Sequence, residues 1–110
     1  MLPSKIIFAD IKIKEAFYKL ENGPTENKEL YTFLMRAFKD IERNAFCGTN
    51  IPKKLIPNDY LTKYCIDNLW KYDLPGAWRL IYSIEREDIK VISLILEWFD
   101  HKDYERKFKY

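Results

Sequence analysis

Residues 89–99, Ile-Lys-Val-Ile-Ser-Leu-Ile-Leu-Glu-Trp-Phe, constrain the fold more than any other segment. The run is rich in β-branched and aromatic residues. It is apolar at odd and even positions alike, with Lys90, Ser93 and Glu97 the interruptions. A strand with one face in water alternates, whereas one that is apolar on both faces has to be covered on both. Ile89 to Phe99 is therefore expected as a central strand. It falls short of the roughly 18 apolar residues that mark a membrane span. Upstream, Trp78, Leu80, Tyr82 and Ile84 alternate with Arg79, Ile81 and Ser83, which predicts a second strand. Glu85 to Asp88 reads as a polar hairpin loop. Leu74-Pro75-Gly76-Ala77 is a turn signal, and Cys65 to Asp73 before it reads as a third strand. These three make an antiparallel meander.

The first half has a different period. Lys5 to Ala9 reads as a short strand, and Asp10 can cap a helix with Ile13, Ala16, Phe17 and Leu20 on one face. Gly23-Pro24 stops it. Thr25 can cap a second helix, over 26–45, with Leu30, Leu34, Ala37, Phe38, Ile41 and Ala45 inward, and Gly48 ends that one. The pair is a helical hairpin. Pro52 and Pro57 make the stretch from Gly48 to Tyr60 a loop or an edge strand, and Tyr60 to Tyr64 adds a helical turn. From Asp100 to Tyr110 the chain is polar, with a short helix over His101 to Lys107 capped by Asp100. The expected class is α+β. An antiparallel or mixed four-stranded sheet is covered on one face by the N-terminal helical hairpin, with a short C-terminal helix. At 110 residues the chain makes one domain, 1–110. Leu34, Phe38, Leu80, Leu94 and Leu96 are expected to be buried.

Composition excludes several classes. Aromatic residues are 16% of the chain, which a disordered segment does not carry. The net charge is +2, with 19 basic and 17 acidic residues, so any basic surface has to be assembled by folding. Cys47 and Cys65 form neither a disulfide framework nor a metal spacing and read as two structural thiols; with a single His, no His-based zinc site is possible. No cofactor is implied. Met1-Leu2-Pro3-Ser4 shows no leader pattern, so a cytoplasmic protein without a membrane partner is expected. No P-loop, nucleophile elbow or dinucleotide fingerprint is present.

Three places can carry chemistry. Arg79 sits inside a strand, where it is either paired with a carboxylate such as Glu97 or Asp73, or free to grip phosphate with its planar fork. His101 and Tyr104, three residues apart on the tail helix, both exchange protons; the plain alternative is a polar helix docked by Tyr104 and Phe108. Lys53-Lys54 lies in the middle loop. Because a meander reverses direction, Arg79 at the start of one strand and His101 beyond the end of the next should meet at the same end of the sheet.

The order strand, helical hairpin, meander, with Leu-Pro-Gly-Ala-Trp-Arg-Leu-Ile-Tyr on the strand and Asp-His-Lys-Asp-Tyr after the last one, resembles the RelE/ParE toxin superfamily. RelE-like members are toxins of type II toxin–antitoxin (plasmid stabilization) systems. They act as ribosome-dependent mRNA endoribonucleases and are neutralised by a cognate antitoxin, whereas ParE-like members act on DNA gyrase. The resemblance implies a metal-independent cleavage in which a ribose 2′-hydroxyl attacks the neighbouring phosphorus. Arg79 would stabilise charge, His101 and Tyr104 would transfer or orient protons, and Lys53, Lys54 and Arg106 would bind RNA. The partners implied are an antitoxin and mRNA on the ribosome. The second reading is a catalytically inactive protein-binding module of the same fold, or a ParE-like poison. Arg79, His101 and Tyr104 converging on one open concave face would favour the enzyme. Arg79 tied to a carboxylate, with His101 turned away, would favour binding.

Overall fold

The computed structural model of the chain describes residues 1–108; Lys109 and Tyr110, the last two residues of the polar tail, lie outside them. The class is α+β. In chain order the elements are β1 (Lys5–Phe8), α1 (Ile11–Leu20), α2 (Thr25–Arg43), β2 (Thr49–Ile51), α3 (Asn58–Tyr64), β3 (Leu69–Asp73), β4 (Arg79–Glu87), β5 (Lys90–Phe99) and α4 (His101–Phe108). The strands lie in the order β1-β5-β4-β3-β2. β1 runs parallel to β5, and every other pairing is antiparallel.

The sheet has five strands, not four. The addition is β2, in the Pro-bounded stretch, where Thr49–Ile51 pairs with Leu69–Lys71. Pro52 follows at once, and a residue without an N–H cannot extend a ladder, so β2 stays a short edge. β5 has a neighbour on each side, while β4 takes the middle of the sheet. β3 begins at Leu69 and not at Cys65, because Cys65 closes α3 in a left-handed conformation (φ 53°). The β4–β5 hairpin is tighter than expected. Glu85–Glu87 remain in the strand, and the reversal is made at Asp88, also left-handed (φ 57°), and Ile89.

Both faces of the sheet are covered, which corrects the expectation of a single covered face. On one side Phe17, Leu34, Phe38 and Ile41 from α1 and α2 pack on Leu80, Tyr82 and Ile95. On the other, Tyr60 from α3 and Tyr104 and Phe108 from α4 pack on Ile81, Leu69 and Leu96. This is what an apolar-on-both-faces β5 requires. Leu34, Phe38, Leu80 and Leu96 are buried, and Leu94 is partly so. Asp10 caps α1 by accepting from the Ile13 N–H at 3.0 Å. α2 starts differently: Pro24 holds the cap position, and Thr25 is the first helical residue. Both cysteines are exposed, so neither is the buried thiol that the composition suggested. Among the described residues no helix is long and apolar enough to cross a membrane.

Polar residues inside the core are joined to one another. Ser93, the polar interruption of β5, is buried and shares a 2.8 Å hydrogen bond with Ser4, whose hydroxyl also lies 2.9 Å from the Ile41 carbonyl. The Tyr82 hydroxyl donates to the Ala45 carbonyl at 2.7 Å and accepts from the Gly48 N–H at 3.1 Å. It thereby pins the α2–β2 connection onto β4. A Cβ at Gly48 would meet the Lys71 carbonyl oxygen at 2.5 Å and the Tyr82 hydroxyl at 2.6 Å, so only glycine lets the chain pass so close. Tyr82→Phe leaves the carbonyl and N–H without their partner and should destabilise by about 1–3 kcal/mol. Gly48→Ala should destabilise as well, by displacing the same hydroxyl. Chemical denaturation of both variants checks this: stability equal to the parent's in Tyr82→Phe would show that the hydroxyl holds nothing.

Candidate functional site

The meander and the one-residue step from β5 to α4 bring the predicted residues to one end of the sheet. Arg79 pairs in register with Asp73 on β3 and with Phe99 on β5, and His101 begins two residues beyond Phe99. Asp100 caps α4, its carboxylate accepting from the Asp103 N–H at 2.8 Å. That cap turns the helix back over the sheet, and Tyr104 comes to rest under Arg79, with the guanidinium 5.5 Å from the ring centroid.

Arg79 is held by more than the ring. Its Nε lies 3.0 Å from the Asp73 carboxylate, and its Nη1 donates to the Trp78 carbonyl at 3.2 Å. The Nε–H does not point along a hydrogen-bond line to that carboxylate, so the contact is an ion pair and not a fork. Lys71 Nζ is also 3.0 Å from Asp73. One carboxylate thus stands between two cations, and the trio keeps a net positive charge at this end of the sheet.

His101 and Tyr104 do not converge. Tyr104 is 4% exposed, with its ring 4.7 Å from that of Phe108. His101 is exposed and lies 2.8 Å from Glu105, one turn along α4. Their three-residue spacing leaves an angle wide enough for one to face the core and the other water. Lys53 and Lys54 are both exposed in a 3-10 turn over Lys53–Leu55.

Lys54 and Arg106 line the same cavity, of about 830 Å³, between the segment 54–59 and α4. Phe99 and Phe108 contribute to its apolar wall, while Arg79, His101 and Tyr104 stay outside it. Lys107 also lines it, but is committed: its ammonium binds Asp59 on α3 and lies 5.0 Å over the Tyr60 ring. The hydrogen bond from Lys107 lowers the Asp59 carboxyl below its ordinary value, against the opposing effect of burial. Among the described residues no group of three or more His, Cys, Asp or Glu could hold a metal ion.

Glu97 is the group that spacing failed to single out, except as a possible partner for Arg79. A β-bulge sits where Ile81 opposes Glu97 and Tyr82 opposes Ile95, leaving Leu96 unpaired. The extra residue turns Leu96 and Glu97 toward the same face, so Glu97 lies on the side of Tyr60 and is not paired with Arg79, and the buried Tyr60 hydroxyl makes no hydrogen bond of ordinary geometry among the described residues. Burial raises the Glu97 carboxyl, while the Lys107 charge and the Tyr60 hydroxyl pull it down by less. Burial likewise raises the Tyr60 hydroxyl, and the Glu97 charge adds to it. A lone charge inside an apolar run was the available signal, but the bulge that aims it is not visible in the sequence.

The raised Glu97 carboxyl has a definite linkage consequence. The native state holds this proton more tightly than the unfolded chain, so stability falls as pH rises through the interval between the two values. Glu97→Gln removes that dependence and should melt at a higher temperature than the parent near neutrality, with the difference closing below the ordinary carboxylate range. Thermal melts across that range check it; a gap that does not change with pH would mean Glu97 carries no such cost.

No protein-family model, curated protein or solved structure matches the chain, so the reading of this end of the sheet rests on its own residues.

Proposed function

We propose that the chain is a RelE-like toxin that acts on ribosome-bound mRNA as a metal-independent endoribonuclease, held in check by a cognate antitoxin. The observation that carries the reading is the cation cluster Lys71–Asp73–Arg79, seated over the Tyr104 ring at the end of the sheet where β5 gives way to α4. Phe108, packed on Tyr104, floors the cavity that Lys54 and Arg106 line. RNA phosphates at the cavity would lead the strand toward Arg79. In this mechanism the 2′-oxygen forms a bond to phosphorus as the bond to the 5′-oxygen breaks. A base accepts the 2′ proton and an acid protonates the leaving oxygen. Arg79, permanently charged and already positioned by Asp73, offsets charge on the non-bridging oxygens. His101, open to solvent beside Glu105, is the proton-transfer group that a substrate can reach; Tyr104 orients Arg79 through its ring.

A second reading, a catalytically inactive module of the same fold that binds a protein, is favoured by a specific observation. Arg79 is tied to Asp73, and Tyr104 is buried. Exposed Tyr18 and Phe46, each 50% accessible, supply aromatic anchors of the kind that protein interfaces use.

Primer extension on ribosome-bound mRNA tests the first reading. The parent should cut. Arg79→Ala should lose about a hundred- to a thousandfold in rate, the effect of one preorganised donor. His101→Ala should cut more slowly while circular dichroism stays unchanged, and Tyr104→Leu, which removes the ring under Arg79, should also cut more slowly, whereas Tyr104→Phe, which keeps the ring, should cut at close to the parent's rate. No cutting by the parent, together with a stable complex when the protein is co-expressed with the product of an adjoining gene, would select the second reading.

A further inference from the structure

The cavity between the segment 54–59 and α4 is a site in its own right. Its volume, about 830 Å³, lies within the roughly 300–1,000 Å³ of pockets that enclose small ligands. Its charges divide into two kinds. Lys107 and Asp59 satisfy each other. Among the described residues Lys54, exposed on its 3-10 turn, makes no ion pair or hydrogen bond, and Arg106 pairs with Asp103, at 3.6 Å, with 74% of its side chain in solvent. One unpaired and one loosely paired cation, among the described residues, therefore border a hollow walled by Leu55, Phe99 and Phe108. An apolar wall favours a flat, weakly hydrated body, and the two solvent-exposed cations at its rim favour an anion at one end of that body. The Asp103 carboxylate, on the same lining, can accept from N–H groups on the body's polar edge.

We propose that this cavity is a nucleotide pocket: a nucleobase enters the hollow against Leu55 and Phe99, and its phosphate is held by Lys54 and Arg106. The proposal deepens the RNA-directed reading and rests on it for the source of the ligand, a nucleotide within an RNA strand. A free mononucleotide offers the same chemistry. Arg79 does not line the cavity, so the pocket grips the strand away from the bond that would be cut. It acts on affinity and on which base is accepted, and it leaves proton transfer to other groups.

Amide-shift titration of the intact protein tests it, using adenosine, guanosine, cytidine and uridine monophosphates, inorganic phosphate and a short single-stranded RNA. Shifts are expected at Leu55, Phe99 and Asp103, with phosphate alone at least about tenfold weaker than the best nucleotide. Lys54→Ala and Arg106→Ala should each weaken binding by about tenfold. Leu55→Trp fills the hollow and leaves both cations in place; it should abolish the nucleotide shifts while the rest of the spectrum is retained. RNA that binds where mononucleotides do not, and is lost in Leu55→Trp, supports the strand as the source. Phosphate as tight as nucleotides, or nucleotide binding unchanged in Leu55→Trp, overturns the pocket and leaves only surface charge. A protein partner whose shifts fill this hollow, with no response to any nucleotide, overturns it too. The two readings fail separately. Nucleotide binding without mRNA cleavage removes the enzyme and keeps the pocket, whereas cleavage by protein in which neither mononucleotides nor RNA shift these residues removes the pocket and keeps the enzyme.

Discussion

The structure depends on the burial of β5 from both sides. Its inward and outward residues are equally apolar, so the strand cannot lie at a solvated face or edge. The consequence is a sheet with two coats. The long helical hairpin supplies one, with Phe17 as the hub of an aromatic cluster that takes in Phe8, Tyr31, Phe38 and Trp98. The second coat has to be made from what remains, the seven-residue α3 and the eight-residue α4. Short helices gain little from backbone hydrogen bonding alone, and these are held by what they bury and by side-chain ties. Tyr60, Tyr104 and Phe108 go inward, and Lys107 clasps Asp59 from outside. The end of the molecule that carries the candidate site is thus formed by its less extensively anchored layer.

The bulge at Leu96 shows how one extra residue redistributes chemistry. Without it, strict alternation would send Leu96 and Glu97 to opposite faces. With it, both face α3 and α4, and a carboxylate is placed beside the Tyr60 hydroxyl in surroundings that disfavour its charge. Asp73, in contrast, stands across the ladder from Arg79 with most of its side chain half open to water, and serves two cations at once. These carboxylates occupy β3 and β5, the two strands that flank β4 in one sheet, yet one is a burden on the core and the other the anchor of the cation cluster. Register decides which is which.

That is also why parts of the fold were legible in the sequence and parts of the site were not. Periodicity reports which face a residue takes, so α1, α2, the meander and the existence of a first strand follow from spacing, and the reversal of the meander brings Arg79 to the start of α4. Caps are local and equally readable, as at Asp10 and Asp100. β2 was ambiguous because three residues before a proline carry almost no period. α3 was legible in part, as the turn from Tyr60 to Tyr64, but the left-handed Cys65 that ends it was hidden because Cys is not a residue that announces such a conformation. The partners of Arg79 and Tyr60 were undecided because pairing across strands depends on a bulge, and a bulge shifts every subsequent side chain while leaving no mark of its own in an apolar run.

The nearly neutral composition takes on a different meaning once the pairs are known. Charge that is matched locally contributes nothing to a distant anion, so net charge is a poor guide to where an anion would settle. Lys107 is matched by Asp59, and His101 faces Glu105. Lys54 has no such match, Arg106 has a loose one, and Lys71 with Arg79 share a single carboxylate. Lys54, Lys71, Arg79 and Arg106 thus leave incompletely matched positive charge on β3, β4, α4 and the turn before α3. A chain of net charge +2 can in this way present a concentrated cationic end. Of the acids at this end, Asp59, Asp73 and Glu105 are taken up within these pairs. The same separation explains why the cations that remain free stand beside aromatic walls: α4 turns its apolar stripe, Tyr104 and Phe108, into the sheet, and its polar residues 103, 106 and 107 are left to border whatever opens next to it.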